Sequence, residues 1–174
     1  MSIEYKVFHK DPINLLDEYA HAQSIALQIR NYLSSEKIQA EINESHKLNA
    51  TSQQIQAIIQ KEIERLGFQS EKKGLFADYK VTALRPDFYL PLGKSGVILE
   101  VERGKTITNN MDLLDIWKCH VCNHADFLYL IVPKERRSEN GAVIKAFDNV
   151  VRRLSTFFEP KNYVNVEAVF IFGY

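Results

Sequence analysis

Four acidic residues stand where apolar patterning leaves little room for charge. Asp87 follows Pro86 at the head of FYLPL, and Glu100 and Glu102 sit inside VILEVE. Burying an ionised carboxylate costs several kcal/mol unless it is paired or binds a metal. Three acids within the sixteen residues from Asp87 to Glu102, on two apolar segments, call for a shared partner. A divalent cation is the simplest one. Strand alternation puts Glu100 and Glu102 on one face, with Val101 on the other. At strand rise the two glutamates are about 7 Å apart and repel unless something positive lies near. The fourth acid is Glu62. Ile55, Ile58, Ile59, Ile63 and Leu66 form one helical stripe, and at about 100° per residue Glu62 falls inside it while Glu64 falls opposite.

These acids need elements to hold them. Residues 51–66 are expected as a helix, capped by Thr51 or Ser52 and ended by Gly67. Three strands follow at 75–83, 85–92 and 97–103, the second carrying Asp87 and the third carrying Glu100 and Glu102. A helix is expected over 109–125, with a core stripe of Leu113, Leu114, Trp117, Val121 and Ala125. Residues 126–132 are expected as a fully buried strand closed by Pro133. KERRSENG is an exposed basic loop, 141–158 an amphipathic helix, and 164–172 the last strand. Upstream, residues 1–10 alternate like a strand or an arm, and 12–33 form a helix on Leu15, Tyr19, Ala22, Ala26, Ile29 and Leu33, widened by Leu16 and Leu27. The polar stretch 35–47 is helical or a loop. The result is an α/β domain with a mixed central sheet flanked by helices over 49–174, and an N-terminal helical extension over 1–48.

The order helix, three strands, helix, strand, with Pro-Asp opening the second strand and Glu-x-Glu in the third, resembles the PD-(D/E)XK nuclease superfamily over about residues 50–133. The resemblance implies a restriction endonuclease-like core of order αβββαβ, followed here by αβ. It implies Mg²⁺ bound by Asp87 and Glu100, joined by the carbonyl of Val101, with Glu62 from the first helix completing the site. It implies phosphodiester hydrolysis leaving 5′-phosphate and 3′-hydroxyl ends, with Mn²⁺ able to replace Mg²⁺. The chain departs from the family at the third motif position, where Glu102 stands in place of the usual lysine. A small group of restriction endonucleases shares that Glu-x-Glu. Glu102 would then ligate a second metal or accept a proton, and another cation would take the lysine's part. Lys105, Lys118 and Arg103 are the candidates, Lys118 because some family members carry the lysine on the following helix.

Bland readings compete. Asp87 is also a fair turn acid after Pro86, Glu100 a fair surface residue of an edge strand, and Glu62 could simply pair with a Lys or Arg. Cys119, His120, Cys122 and His124 invite a zinc reading, but on one helix they spread too far around the axis to enclose a tetrahedral ion. The 22 basic and 22 acidic residues balance, which argues against a non-specific basic nucleic-acid coat but leaves room for a local basic groove. Two cysteines, a polar start and no apolar run of membrane-spanning length point to the cytoplasm. The expected function is a Mg²⁺-dependent endonuclease of double-stranded DNA, acting as a homodimer on a palindromic site. The alternatives are a repair, recombination or RNA-directed nuclease on the same fold, or a non-catalytic binding module.

Overall fold

Two wholly apolar strands set the centre of the sheet. FLYLIV (β5, Phe127–Val132) and AVFIFG (β8, Ala168–Gly173) are buried at every position. Such runs belong in a sheet covered on both faces, and the computed structural model places them there. It describes residues 3–45, 52–70, 85–103, 106–107, 109–137 and 141–174. The strand expected over 75–83 and the candidate Lys105 lie outside these residues.

The elements preceding β5 are β1 (Glu4–His9), α1 (Leu16–Leu33), α2 (Glu36–Ser45), α3 (Ser52–Arg65), β2 (Gln69–Ser70), β3 (Phe88–Leu92), β4 (Ser95–Val101) and α4 (Met111–Val121). A hairpin of β6 (Glu135–Arg137) and β7 (Val143–Lys145), then α5 (Ala146–Ser155), lead to β8. The main sheet has six strands in the order β1-β8-β5-β4-β3-β2. β4, β5 and β8 run parallel, whereas β1, β3 and β2 pair antiparallel with their neighbours. The fold is therefore α/β with a mixed sheet flanked by helices. No helix among the described residues is long and apolar enough to cross a membrane.

Alternation divides the helices between two layers. Val97, Leu99, Val101, Tyr129 and Phe170 face α1, α2 and α3, while Ile98, Leu128, Leu130 and Ile171 face α4 and α5. α3 ends as expected, at Gly67 in the left-handed region (φ +95°), where a side chain would be strained.

Several expectations change. Within the stretch expected as an extension, the described residues 3–45 pack onto the same core: β1 is an edge strand paired along its length with β8. Ala22, Ile25, Ala26, Ile29 and Leu33 of α1 line the core, and the hydroxyl of Tyr129 donates to the carbonyl of Ala22. Leu16 and Leu27, expected to widen that stripe, are exposed. Residues 135–137 of the expected basic loop and 143–145 at the start of the helix expected over 141–158 pair as β6 and β7 instead.

The largest change is the rotation of α4. Its buried residues are Asp112, Asp115, Ile116, Lys118 and Cys119. Trp117, expected in the core, is 41% exposed, and Leu113, Leu114 and Val121 are only partly buried. Both cysteines, which were not part of the expected stripe, are buried. Hydrophobic periodicity alone puts the leucines and tryptophan inward. The helix instead turns its charged row to the sheet because partners for those charges wait there.

Candidate functional site

Glu100 lies near the end of β4 on the face covered by α4, as its alternation with Val101 requires. It is 3% exposed. Its Oε1 accepts from Lys118 Nζ at 2.7 Å, and its Oε2 accepts from the backbone N–H of Asp87 at 3.2 Å. Asp87 sits in the bend before β3, and its Oδ2 accepts from the N–H of Val101 at 2.8 Å. The two antiparallel strands thus present Asp87 and Glu100 side by side, fastened by two backbone donors.

α4 supplies the counter-charge. Asp112, Asp115 and Lys118 recur every three residues and share one face of the helix. Lys118 Nζ also donates to Asp115 Oδ1 at 3.0 Å, so one ammonium bridges an acid of the sheet and an acid of its own helix. Asp115 is wholly buried, and its Oδ2 has no hydrogen-bond partner among the described residues. Asp112, equally buried, forms an ion pair with Arg153 of α5, whose Nε lies 3.3 Å from its Oδ2.

The electrostatics follow from four carboxyl groups sharing one nearby ammonium. Burial pushes the Glu100 carboxyl well up, Asp115 and Asp87 push it further, and Lys118 holds it down. Burial and the charges of Asp115 and Asp87 raise Glu102 to about 8. Burial raises Asp115 to about 6, with Lys118 opposing. Asp87 is also raised by burial, which outweighs the Val101 N–H, Lys118 and a hydrogen bond from the Gln56 side chain. Burial disfavours the Lys118 cation, yet Glu100 and Asp115 keep its pKa above the ordinary lysine value. A buried group with this surplus of acid is stabilised by added protons or positive charge.

The expected residues separate accordingly. Glu100 contacts both Lys118 and the Asp87 backbone, and Glu102 lies within electrostatic reach of Asp87 and Lys118. The Glu102 backbone is fixed by its N–H to the carbonyl of Ile131 and by its own carbonyl to the hydroxyl of Tyr174. Arg103 is buried beside Tyr174 and Arg136. Glu62 does not join the group. Its carboxylate is held by Arg65 at 2.6 Å, one turn along α3, and it lies within electrostatic reach of Tyr32 of α1. The residue of α3 that reaches Asp87 is Gln56. Glu62, six positions on, is turned about 120° away and lies about 9 Å further along the axis. α3 also packs on the sheet face opposite Glu100. The pairing of Glu62 with an arginine, weighed above as the bland alternative, is what is found.

Asp115, Asp112 and Gln56 were absent from the expected set. The signal for the first two was present in the sequence as acid, acid and lysine at three-residue intervals. The cysteines and histidines are engaged locally: Cys119 Sγ approaches the carbonyl of Ala125, and His120 Nδ1 accepts from the N–H of Asn165 at 2.8 Å.

The donor set of Asp87, Glu100, Glu102 and Asp115 is all oxygen, the chemistry that suits a hard divalent cation. The buried, unpartnered Asp115 Oδ2 and the raised carboxyls fit such an ion in charge. Among the described residues no three His, Cys, Asp or Glu side chains are grouped as a ready ligand set. The place between Glu100 and Asp115 is taken by the Lys118 ammonium.

No family model, no curated protein and no solved structure matches the chain.

Proposed function

We propose that this chain is a divalent-cation-dependent nuclease of the PD-(D/E)XK type, hydrolysing phosphodiester bonds of double-stranded DNA. The observation that carries this reading is the meeting of Lys118 with Glu100 at 2.7 Å, while the other oxygen of Glu100 takes the N–H of Asp87. The third motif position holds Glu102 where the family pattern has lysine, and a lysine from the next helix arrives at the first acid of the pair. The order α3, β3, β4, α4, β5, with β3 antiparallel and β5 parallel to β4, supports the same reading.

Asp87 and Glu100 would hold Mg²⁺, or Mn²⁺ in its place, with the Val101 carbonyl beside them. When bound, the ion supplies a water of lowered pKa and offsets charge on the leaving oxygen. Lys118 Nζ is placed to balance negative charge on a phosphoryl oxygen or to orient the attacking water. In the cation-free protein the Glu102 carboxyl titrates at about 8, near the range in which a group can both accept and return a proton. A nearby cation would draw that value lower. Asp87 is anchored through Val101 and Gln56, so its carboxylate is oriented before any ligand arrives.

Substrate and assembly follow from the same resemblance: double-stranded DNA cut by a twofold homodimer, with repair, recombination or RNA-directed cleavage as the neighbouring alternatives. Cys119 and Cys122, which are not joined in a disulfide, suit a reducing cytoplasm. The test is supercoiled plasmid with Mg²⁺, and wild type, Asp87→Ala and Glu100→Ala in parallel. Wild type is expected to nick or linearise it, and both variants to fall to background. Equal cleavage by all three sinks the site. Gel filtration at micromolar concentration checks the dimer, and a monomer there removes it.

One observation favours a second reading. Lys118 already pairs with both Glu100 and Asp115, as it would in a non-catalytic binding module that keeps the fold. Calorimetric titration with Mg²⁺ and Mn²⁺ separates the two, since a module of this kind binds neither.

A further inference from the structure

Lys118 has two carboxylate partners of different standing. Glu100 belongs to β4 and is shared with Asp87, whereas Asp115 belongs to the lysine's own helix, one turn earlier. Asp115 is wholly buried, and its second oxygen has no partner among the described residues. It therefore cannot turn outward and replace the ammonium by water. We propose that Asp115 is a positioning residue that retains the Lys118 ammonium in the site when Glu100 turns to a divalent cation. This inference rests on the cation-dependent reading above.

A cation held by Asp87 and Glu100 does two things to Lys118. It repels the ammonium, and it takes over the negative charge of Glu100. A lysine with no other anion would swing away on its flexible four-carbon stem. Asp115 prevents this because the pair it makes with Lys118 lies within α4 and does not depend on the strand. Separating the pair would leave a buried, unpaired carboxylate, which is strongly unfavourable. The same contact helps the cation to enter. Asp115 offsets the charge of Lys118, so an arriving ion meets the charges of Asp87 and Glu100 with little opposition. The arrangement is an exchange of partners: Glu100 passes from ammonium to cation, while the ammonium stays on Asp115.

The test is Mn²⁺ affinity measured by calorimetry on the full chain, for wild type, Asp115→Asn, Lys118→Gln and the double variant. With Asp115 neutralised, the ammonium rests on Glu100 alone and opposes the ion. Asp115→Asn is expected to weaken Mn²⁺ binding roughly tenfold, a coupling of the size seen between contacting charges. Lys118→Gln is expected to tighten it, and the loss from Asp115→Asn to shrink to about twofold once the lysine is gone. Equal loss in both backgrounds overturns the inference, because Asp115 then acts on the ion directly. An undiminished affinity in Asp115→Asn also overturns it. Absence of Mn²⁺ binding by wild type removes the cation-dependent reading and this inference with it. Wild-type binding that Asp115→Asn leaves unchanged removes only the role of Asp115. If Asp115→Asn does not fold, Asp115→Ser is measured in the same two backgrounds: a loss that shrinks once the lysine is gone supports the inference, and an equal loss or none overturns it.

Discussion

Replacing Lys118 by methionine probes the buried triad without any assumption about activity. Methionine keeps an unbranched stem and removes the ammonium. Glu100 and Asp115, with side chains 4% and 0% exposed, are then left without their cation. Breaking a buried ion pair from one side costs about 3–5 kcal/mol. In a chain of this size each kcal/mol moves the melting midpoint by about 2–4 °C, so Lys118→Met should melt roughly 6–20 °C lower near pH 8. The loss should depend on pH in a definite direction. Glu100 and Asp115 have folded pKa values above their unfolded ones, and losing Lys118 raises both further. Between the unfolded and folded values the native state binds more protons, so stability falls as pH rises. For Asp115 in wild type that window runs from 3.8 to about 6, and in the variant its upper end moves higher. Lys118 itself stays charged throughout, because its pKa is raised and its contribution is lost only at more alkaline pH. The deficit of the variant should therefore be largest near pH 8 and shrink toward about pH 5, as the two acids take up protons. Thermal and urea unfolding in EDTA across this range measure it. A deficit equal at both ends would show lost packing and not lost charge. A deficit under about 1 kcal/mol would mean that the triad is not buried as described.

Three further outcomes are expected. Glu102→Gln removes a carboxyl raised from 4.5 to about 8, whose cost to the fold grows as pH climbs through that window; discounted for its partial solvent contact, the variant should gain about 2 kcal/mol near pH 8 and little near pH 5, and a pH–stability curve unchanged from wild type refutes this. Arg153→Met leaves the wholly buried Asp112 without its ion pair and should lower stability by about 3 kcal/mol in urea unfolding, whereas a change within about 0.5 kcal/mol would show that Asp112 is neutral in the fold. Trp117→Ser should change stability by less than about 1 kcal/mol, and the single tryptophan of the native protein should be open to acrylamide quenching; a quench-protected indole would return it to the core.

Much of the scaffold was legible because local pattern and burial agree. An uninterrupted apolar run marked β5, period-two alternation placed Glu100 on the face opposite Val101, and Gly67 ended α3. The acids of β4 and the bend before β3 stood out because ionisable groups in apolar strands need partners. Glu62 misled for a related reason: lying within a stripe fixes a direction around the helix axis, not which side of the sheet that helix will cover. α3 covers the face away from Glu100, a fact set by the β3–β4 pairing and by α1, α2 and α3 sharing one layer.

The rotation of α4 was decided by tertiary structure alone. Hydropathy turns a helix by its apolar side chains, and Leu113, Leu114 and Trp117 outvote an acid–acid–lysine row in that count. In the folded chain the row has partners that no local window contains: Glu100, eighteen residues from Lys118, and Arg153 on α5. Pairing with them offsets the penalty of burying Asp112, Asp115 and Lys118, so the charged face goes in and the tryptophan goes out. The sequence by itself determined where acids had to find partners, because that need follows from residue type and apolar context. Which residues met it was decided by strand register and helix packing, since a buried charge is stabilised through space by whatever the fold brings within about 3 Å.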